Sequence, residues 1–182
     1  MPEVTIRPAV EADLPVLVRI EVEAGALFRT VGLDEVAEHP VHEDDYRPGL
    51  AEERAWVAEH DGEVAGYIYA GLVDENTHIE QVSVAPGHAG HGIGAQLVRF
   101  VEAWSREWGR LAITLTTFKD VPWNAPYYRR LGYREMTADE IGPELAATMA
   151  HEASLPGIRA GDRCAMVKPA TGWTGSARAA RG

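Results

Sequence analysis

In the stretch VAPGHAGHGIGAQLV, Val84–Val98, glycines at 87, 90, 92 and 94 separate two apolar segments. Where such a turn carries a strand into a helix, bare backbone N–H groups lie at the positive end of the helix dipole. That end favours an anion by about 0.3–1 kcal/mol, so the chemistry on offer is phosphate binding by main chain. Just upstream, HIEQVSV carries His78 and Glu80, two groups able to take up a proton. Downstream, WNAPYYRRLGY (Trp123–Tyr133) sets Asn124, Tyr127 and Tyr128 ahead of the basic pair Arg129 and Arg130.

Several phosphate loops compete for the glycine turn. A P-loop is excluded, because Ile93 stands where a Lys-Ser/Thr pair must reach phosphate and magnesium. GHGIGA satisfies the dinucleotide pattern G-x-G-x-x-A, but that fingerprint needs an acid at the end of the next strand, where LAITLT ends in threonine. A connector without a ligand stays open.

The turn also resembles the acetyl-CoA loop of the GNAT superfamily of N-acetyltransferases: a strand ending in valines, a proline, then Arg/Gln-x-x-G-x-G/A and a helix. WNAPYYRRLGY resembles the second signature of the same superfamily, at a fitting separation. The resemblance is specific over residues 78–133 and follows the element order from Val4 to Val167. It implies acetyl-CoA as cosubstrate, with the pantetheine arm along Val82, Ser83 and Val84 and the pyrophosphate over His88, Ala89, Gly90, His91, Gly92, Ile93, Gly94 and Ala95. Asn124, Tyr127 and Arg130 are further cofactor contacts on the same grounds. Ala89 departs from the pattern, occupying the Arg/Gln position, so fixed positive charge is scarce and histidines flank the phosphate site instead. Acetyl-CoA binding should then strengthen as pH falls through the ordinary histidine range.

Acetyl transfer to an amine needs the neutral amine. With a pKa of about 10.4, only roughly one lysine-like amine in 10³ is neutral near pH 7, a deficit of about 4–5 kcal/mol. Strand alternation predicts His78, Glu80, Val82 and Val84 on one face. The superfamily places bases at positions matching both 78 and 80, and Glu80 is preferred over His78. Tyr128 matches the tyrosine that protonates the departing thiolate. The acceptor site falls by resemblance near Phe28 and Arg29. The expected function is acetylation of a primary amine on a small, cationic molecule, in a ternary complex. A protein N-terminal or lysine acetyltransferase and a non-catalytic acyl-CoA-binding module are the alternatives. No metal is expected, since His88-x-x-His91 lacks further ligands.

These residues need a scaffold. Val4–Pro8 reads as a strand, and Asp13 as the cap of a helix with the stripe Leu17, Ile20, Ala24, Leu27 and Phe28. Leu33–Glu53 reads as short helices broken near His39-Pro40 and Pro48-Gly49. Strands AWVAEH, EVAGYIYAGLV and HIEQVSV are joined by tight turns, so they should be antiparallel neighbours. Ile93, Leu97, Val101, Trp104 and Trp108 form a helical stripe ended by Gly109. Strand LAITLT, a short helix, the strand start YREM, a helix over Glu144–Ala153 and strand RCAMV follow. The expected fold is α/β, a GNAT-like mixed, mostly antiparallel splayed sheet with helices on both faces. One domain over 1–169 precedes a disordered tail, 170–182.

Composition bounds the rest. A 182-residue chain with 46% apolar residues can bury a substantial core. Net charge of −11 disfavours nucleic acid and anionic membranes. The segment from Asp34 to Glu63 holds eleven acids against two bases, either as a solvated face or as a rim attracting a cationic substrate. A lone cysteine, Cys164, excludes an internal disulfide framework and has no His or Asp pattern beside it that would mark a covalent acyl carrier. No secretory pattern opens the chain, so a cytoplasmic setting is expected. A homodimer stays open, as superfamily members often dimerise.

Overall fold

A computed structural model describes residues 3–170, and the expected tail lies outside the described residues beyond Ala170. Its seven strands are β1 (Thr5–Pro8), β2 (Ala55–His60), β3 (Glu63–Val73), β4 (Asn76–Val84), β5 (Ala112–Phe118), β6 (Arg134–Glu135) and β7 (Arg163–Pro169). They form one sheet in the order β1-β2-β3-β4-β5-β7-β6. Every pairing is antiparallel except β4 with β5. The hairpins follow from their turns: Asp61 and Gly62, then Asp74 and Glu75, all take positive φ, as turns matched to strand twist require.

Helices cover both faces. On one lie α4 (Ile93–Glu107) and α5 (Ala125–Arg130). Ile93, Leu97, Val98 and Val101 of α4 pack on Trp56, Ile68, Ile79 and Ile113 of the sheet. Trp108 departs from its expected stripe: it lies just past the helix, 67% exposed and tilted against Trp104. On the other face, Leu14, Leu17 and Ile20 of α1 (Leu14–Gly25) meet Tyr46, Val57 and Tyr67. Leu145 of α6 (Pro143–Ala153) packs against Val73 and Ala165.

Two local expectations need correction. Asp13 makes no side-chain cap to α1, because Arg7 donates to its carboxylate at 2.8 and 3.0 Å and the Val10 N–H at 2.8 Å. Pro48 and Gly49 do not break a helix but sit inside α3 (Arg47–Ala51), which follows α2 (Asp34–Ala37). Proline is tolerated in that first turn because its missing N–H would have had no helical acceptor.

Two irregularities shape the centre of the sheet. Opposite Tyr69 and Ala70, β4 carries one residue too many: Gln81 pairs Tyr69 and Ile79 pairs Ala70, leaving Glu80 as the bulge. The bulge breaks the period of two, so the predicted common face of His78, Glu80, Val82 and Val84 does not exist. Val82 and Val84 pack towards the α4 core with Ile79, while His78 points the other way, into the sheet beside Thr114. Secondly, β4 and β5 pair only at Thr77–Ile113, His78–Thr114 and Ile79–Leu115, then diverge.

Candidate active site

The divergence opens two cavities that meet over Gln81, Val82, Asn124 and Tyr128. The larger, about 570 Å³, runs along Val82, Ser83 and Val84 to the glycine turn, where His88, Ala89, Gly90, Gly92, Ile93 and Gly94 line it. Gly90 and Gly92 have φ of +83° and +72°, which a side chain rarely permits. The N–H groups from Gly90 to Ala95 find no acceptor among the described residues, and they open α4. Asn124 Oδ1 is buried without a hydrogen-bond partner, at the junction of the cavities. Bare amides at a helix start, an orphaned amide oxygen and an unpaired strand edge suit the pyrophosphate and amide groups of acetyl-CoA.

The expected cofactor residues are not all alike. Tyr127 lines this cavity, and its hydroxyl lies 3.1 Å from where a Cβ on Gly94 would stand. Ala95 and His91 do not line it. His91 turns its Nδ1 to the His88 carbonyl at 3.2 Å. Arg130 lies over the Tyr127 ring, 5.7 Å from its centroid.

The smaller cavity, about 270 Å³, lies between α1, the bulge, β5 and the segment after α6. Glu21, Glu80 and Glu152 line it, with Arg163 the one guanidinium on its wall among the described residues. Glu152 accepts from Thr116 at 2.6 Å and from Arg163 at 3.1 Å. Glu21 accepts from Tyr67 and Ser83 at 2.6 Å and from Gln81 at 2.7 Å, all neutral donors. Glu80 is open to water at the cavity mouth yet crowded by protein. That desolvation raises its carboxyl above the usual range, Glu152 adds to the rise and Arg54 opposes it. The Glu80 side chain rests on Gly71, where a Cβ would collide with its carboxylate.

Tyr128 lines both cavities, and burial pushes its phenol well above the ordinary value, so it stays protonated at neutral pH. Its hydroxyl has no hydrogen-bond partner among the described residues, leaving the proton free for a ligand. His78 lines neither cavity. It is 1% exposed, its Nδ1 lies 2.8 Å from Thr114 Oγ1, and burial lowers it to about 4. Phe28 lines both cavities and tilts against Phe118 and Trp123 at 5.5 and 5.7 Å, whereas Arg29 lies outside and pairs with Glu38 at 3.6 Å.

The acidic segment turns out to be a solvated face. Its Glu43 and Asp44 pair with Arg47, Glu52 with Arg54, and Glu59 with Arg7. It gives the smaller cavity Val36, Ala37, His39 and Val41, and no acid. The cavity's carboxylates come from elsewhere, and sequence reasoning missed two of them. Glu21 stands four residues after Leu17 on the buried stripe, where an apolar side chain belongs. Glu152 sits in the last turn of α6, where the helix dipole disfavours an anion. Each was a local misfit.

The chain resembles proteins of known structure along most of its length. It is similar to the ribosomal-protein-S18-alanine N-acetyltransferase from Escherichia coli, at 19% identity and a TM-score of 0.65, covering 96% of this chain and 98% of that one. It is also similar to the PaiA N-acetyltransferase from Thermoplasma acidophilum in complex with coenzyme A, at 14% identity and a TM-score of 0.68, over 92% and 99%. A GNAT family acetyltransferase from Brucella melitensis in complex with acetyl-CoA shares 27% identity, with a TM-score of 0.53 over 72% and 83%. The model of the Acetyltransferase (GNAT) family matches residues 25–133, more than half of the sequence and the whole span from the end of α1 to the aromatic of the second motif. With its splayed sheet and glycine turn in place, the chain belongs to the GNAT family of acetyltransferases, enzymes that take acetyl from acetyl-CoA and need no metal to do so.

Proposed function

We propose that this protein acetylates a primary amine on a small, cationic molecule, by direct transfer within a ternary complex. The observation that carries the reading is the smaller cavity. Three carboxylates face one guanidinium there, and Glu152 already engages that guanidinium. Glu21 and Glu80 are left without a salt-bridge partner among the described residues. Val36, Val41, Leu155 and Ile158 add apolar wall. A confined, acidic pocket of about 270 Å³ suits an amine with a short apolar body better than a peptide chain.

Acetyl-CoA supplies the activated acetyl group. Glu80, its carboxyl raised above the usual range by desolvation, takes a proton from the incoming ammonium, directly or through water. The Val82 N–H is the proposed donor to the thioester oxygen. Tyr128 holds a proton in the passage between the cavities, where a leaving thiolate receives it. Placing both reactants in joined cavities supplies much of the rate by orientation.

The test is release of free CoA thiol from acetyl-CoA with a panel of diamines, polyamines, amino-acid amides and N-terminal peptides. Turnover is expected with compact cationic amines and not with peptides. Peptide turnover alone would reverse the acceptor class, and CoA binding without turnover by any amine would mark a binding module.

A further inference from the structure

Behind the glycine turn, the fold assembles a group of side chains of which only His88 also lines the acetyl-CoA cavity. His60 ends β2, Asp61 opens the following turn, and His88 lies in the 3₁₀ turn Pro86–His88 leading into the glycine loop. His60 Nδ1 stands 3.1 Å from His88 Nδ1 and 3.4 Å from an Asp61 carboxylate oxygen. A ligand atom from each of the three residues lies within 4.8 Å of the others. Tetrahedral zinc with bonds of about 2.0–2.1 Å to nitrogen and oxygen separates its ligand atoms by about 3.3 Å. Two of the edges present here therefore match that spacing. The third closes by rotation of the Asp61 side chain, which is 58% exposed.

We propose that His60, His88 and Asp61 form a binding site for a divalent ion of the zinc class, with its remaining position open to water. Its surroundings fit that use. His60 is 4% exposed, and its Nδ1 faces His88 Nδ1 and the Asp61 carboxylate together. The far nitrogen of His88, Nε2, lies 3.7 Å from a carboxylate oxygen of Glu63, an ion-pair distance. The His91 ring covers His60 at a centroid distance of 4.9 Å. The spacing His88-x-x-His91 hid the site, because its further ligands come from the β2–β3 hairpin, 27 or more residues away in sequence. On the acetyl-CoA reading, the ion also places positive charge beside a loop that has Ala89 where its pattern carries Arg or Gln.

The experiment uses the full chain, without a histidine tag and stripped by chelator, titrated with Zn²⁺ against a chromophoric competitor in the absence of acetyl-CoA. Co²⁺ in a parallel titration reports tetrahedral geometry by its visible absorption. One Zn²⁺ per chain is expected. Affinity should fall at least about 10-fold in Asp61→Asn, which preserves the turn, and further in His60→Gln. If the buried His60 variant does not fold, Asp61→Asn carries the test alone. Absence of stoichiometric binding, or binding unchanged by Asp61→Asn, overturns the site. In a second titration, zinc-loaded protein should bind acetyl-CoA more tightly than stripped protein, and equal affinities would overturn the link to the loop without touching the site.

Discussion

At the scale of single residues, the site rests on two proton carriers that their surroundings treat differently. Glu80 is crowded but wet, so its carboxyl rises without losing access to water. Tyr128 is 8% exposed and burial keeps its phenol neutral. With Glu80 as the proposed base, activity is expected to fall as pH drops through its raised value, giving an acidic limb in kcat/KM above the ordinary 4.5. Glu80→Gln is expected to lower kcat by about 10²–10⁴-fold and to abolish that limb. A pH profile of the variant that keeps the limb would assign the base elsewhere. Tyr128→Phe is expected to lower kcat by about 10²-fold with the limb intact, which rapid-quench measurement separates from slow product release. That Tyr128 and Glu80 would line one cleft was legible from their motifs. The orientation of Glu80 was not, because a bulge is set by the pairing of β4 with Tyr69 and Ala70, and no local pattern reveals it.

At the scale of elements, α5 must hold Tyr128 and Asn124 at the junction, yet it has only six residues. Helices this short draw their stability from what they pack against. Its end is fastened by a partly buried ionic knot. Lys168 of β7 donates to the Leu131 carbonyl at 2.9 Å and to both oxygens of Glu102 on α4 at 2.9 and 3.0 Å, while the Tyr133 hydroxyl donates to Glu102 at 3.1 Å. Lys168→Met strands the Glu102 carboxylate, whose residue is 7% exposed, and is expected to cost about 3–5 kcal/mol in urea unfolding. Lys168→Met with Glu102→Gln should recover part of that loss. Elements themselves were largely legible: the stripe on α4 and the hairpin turns are local signals. Asp13 was misjudged because its competitor, Arg7, arrives from β1 rather than from its own helix. The knot was illegible for the same reason, as its members are 31 to 66 residues apart.

At the scale of the whole molecule, the three residue pairs that join the halves of the sheet include His78, sealed against Thr114. Its folded value of about 4 lies below the ordinary 6.5, so the unfolded chain takes up the proton first. Stability is then whole above pH 6.5, falls as pH drops towards 4, and levels off below, a loss of about 3 kcal/mol. His78→Gln cannot titrate and should show a smaller decline over that window in chemical unfolding. Equal declines in the two proteins would refute the assignment.

The divergence of β4 from β5 also bears on edge-to-edge strand aggregation. A bare strand edge ordinarily invites a foreign strand to add to it, and the outer edges here are kept short, at four residues in β1 and two in β6. The long bare edge, beyond Ile79, lies in the middle of the sheet instead, between β5 and the helices that cover it. The cavity along Val82, Ser83 and Val84 presents that edge to a slender, amide-bearing chain. The fold thus exposes strand-pairing groups to its ligand while denying them to aggregation.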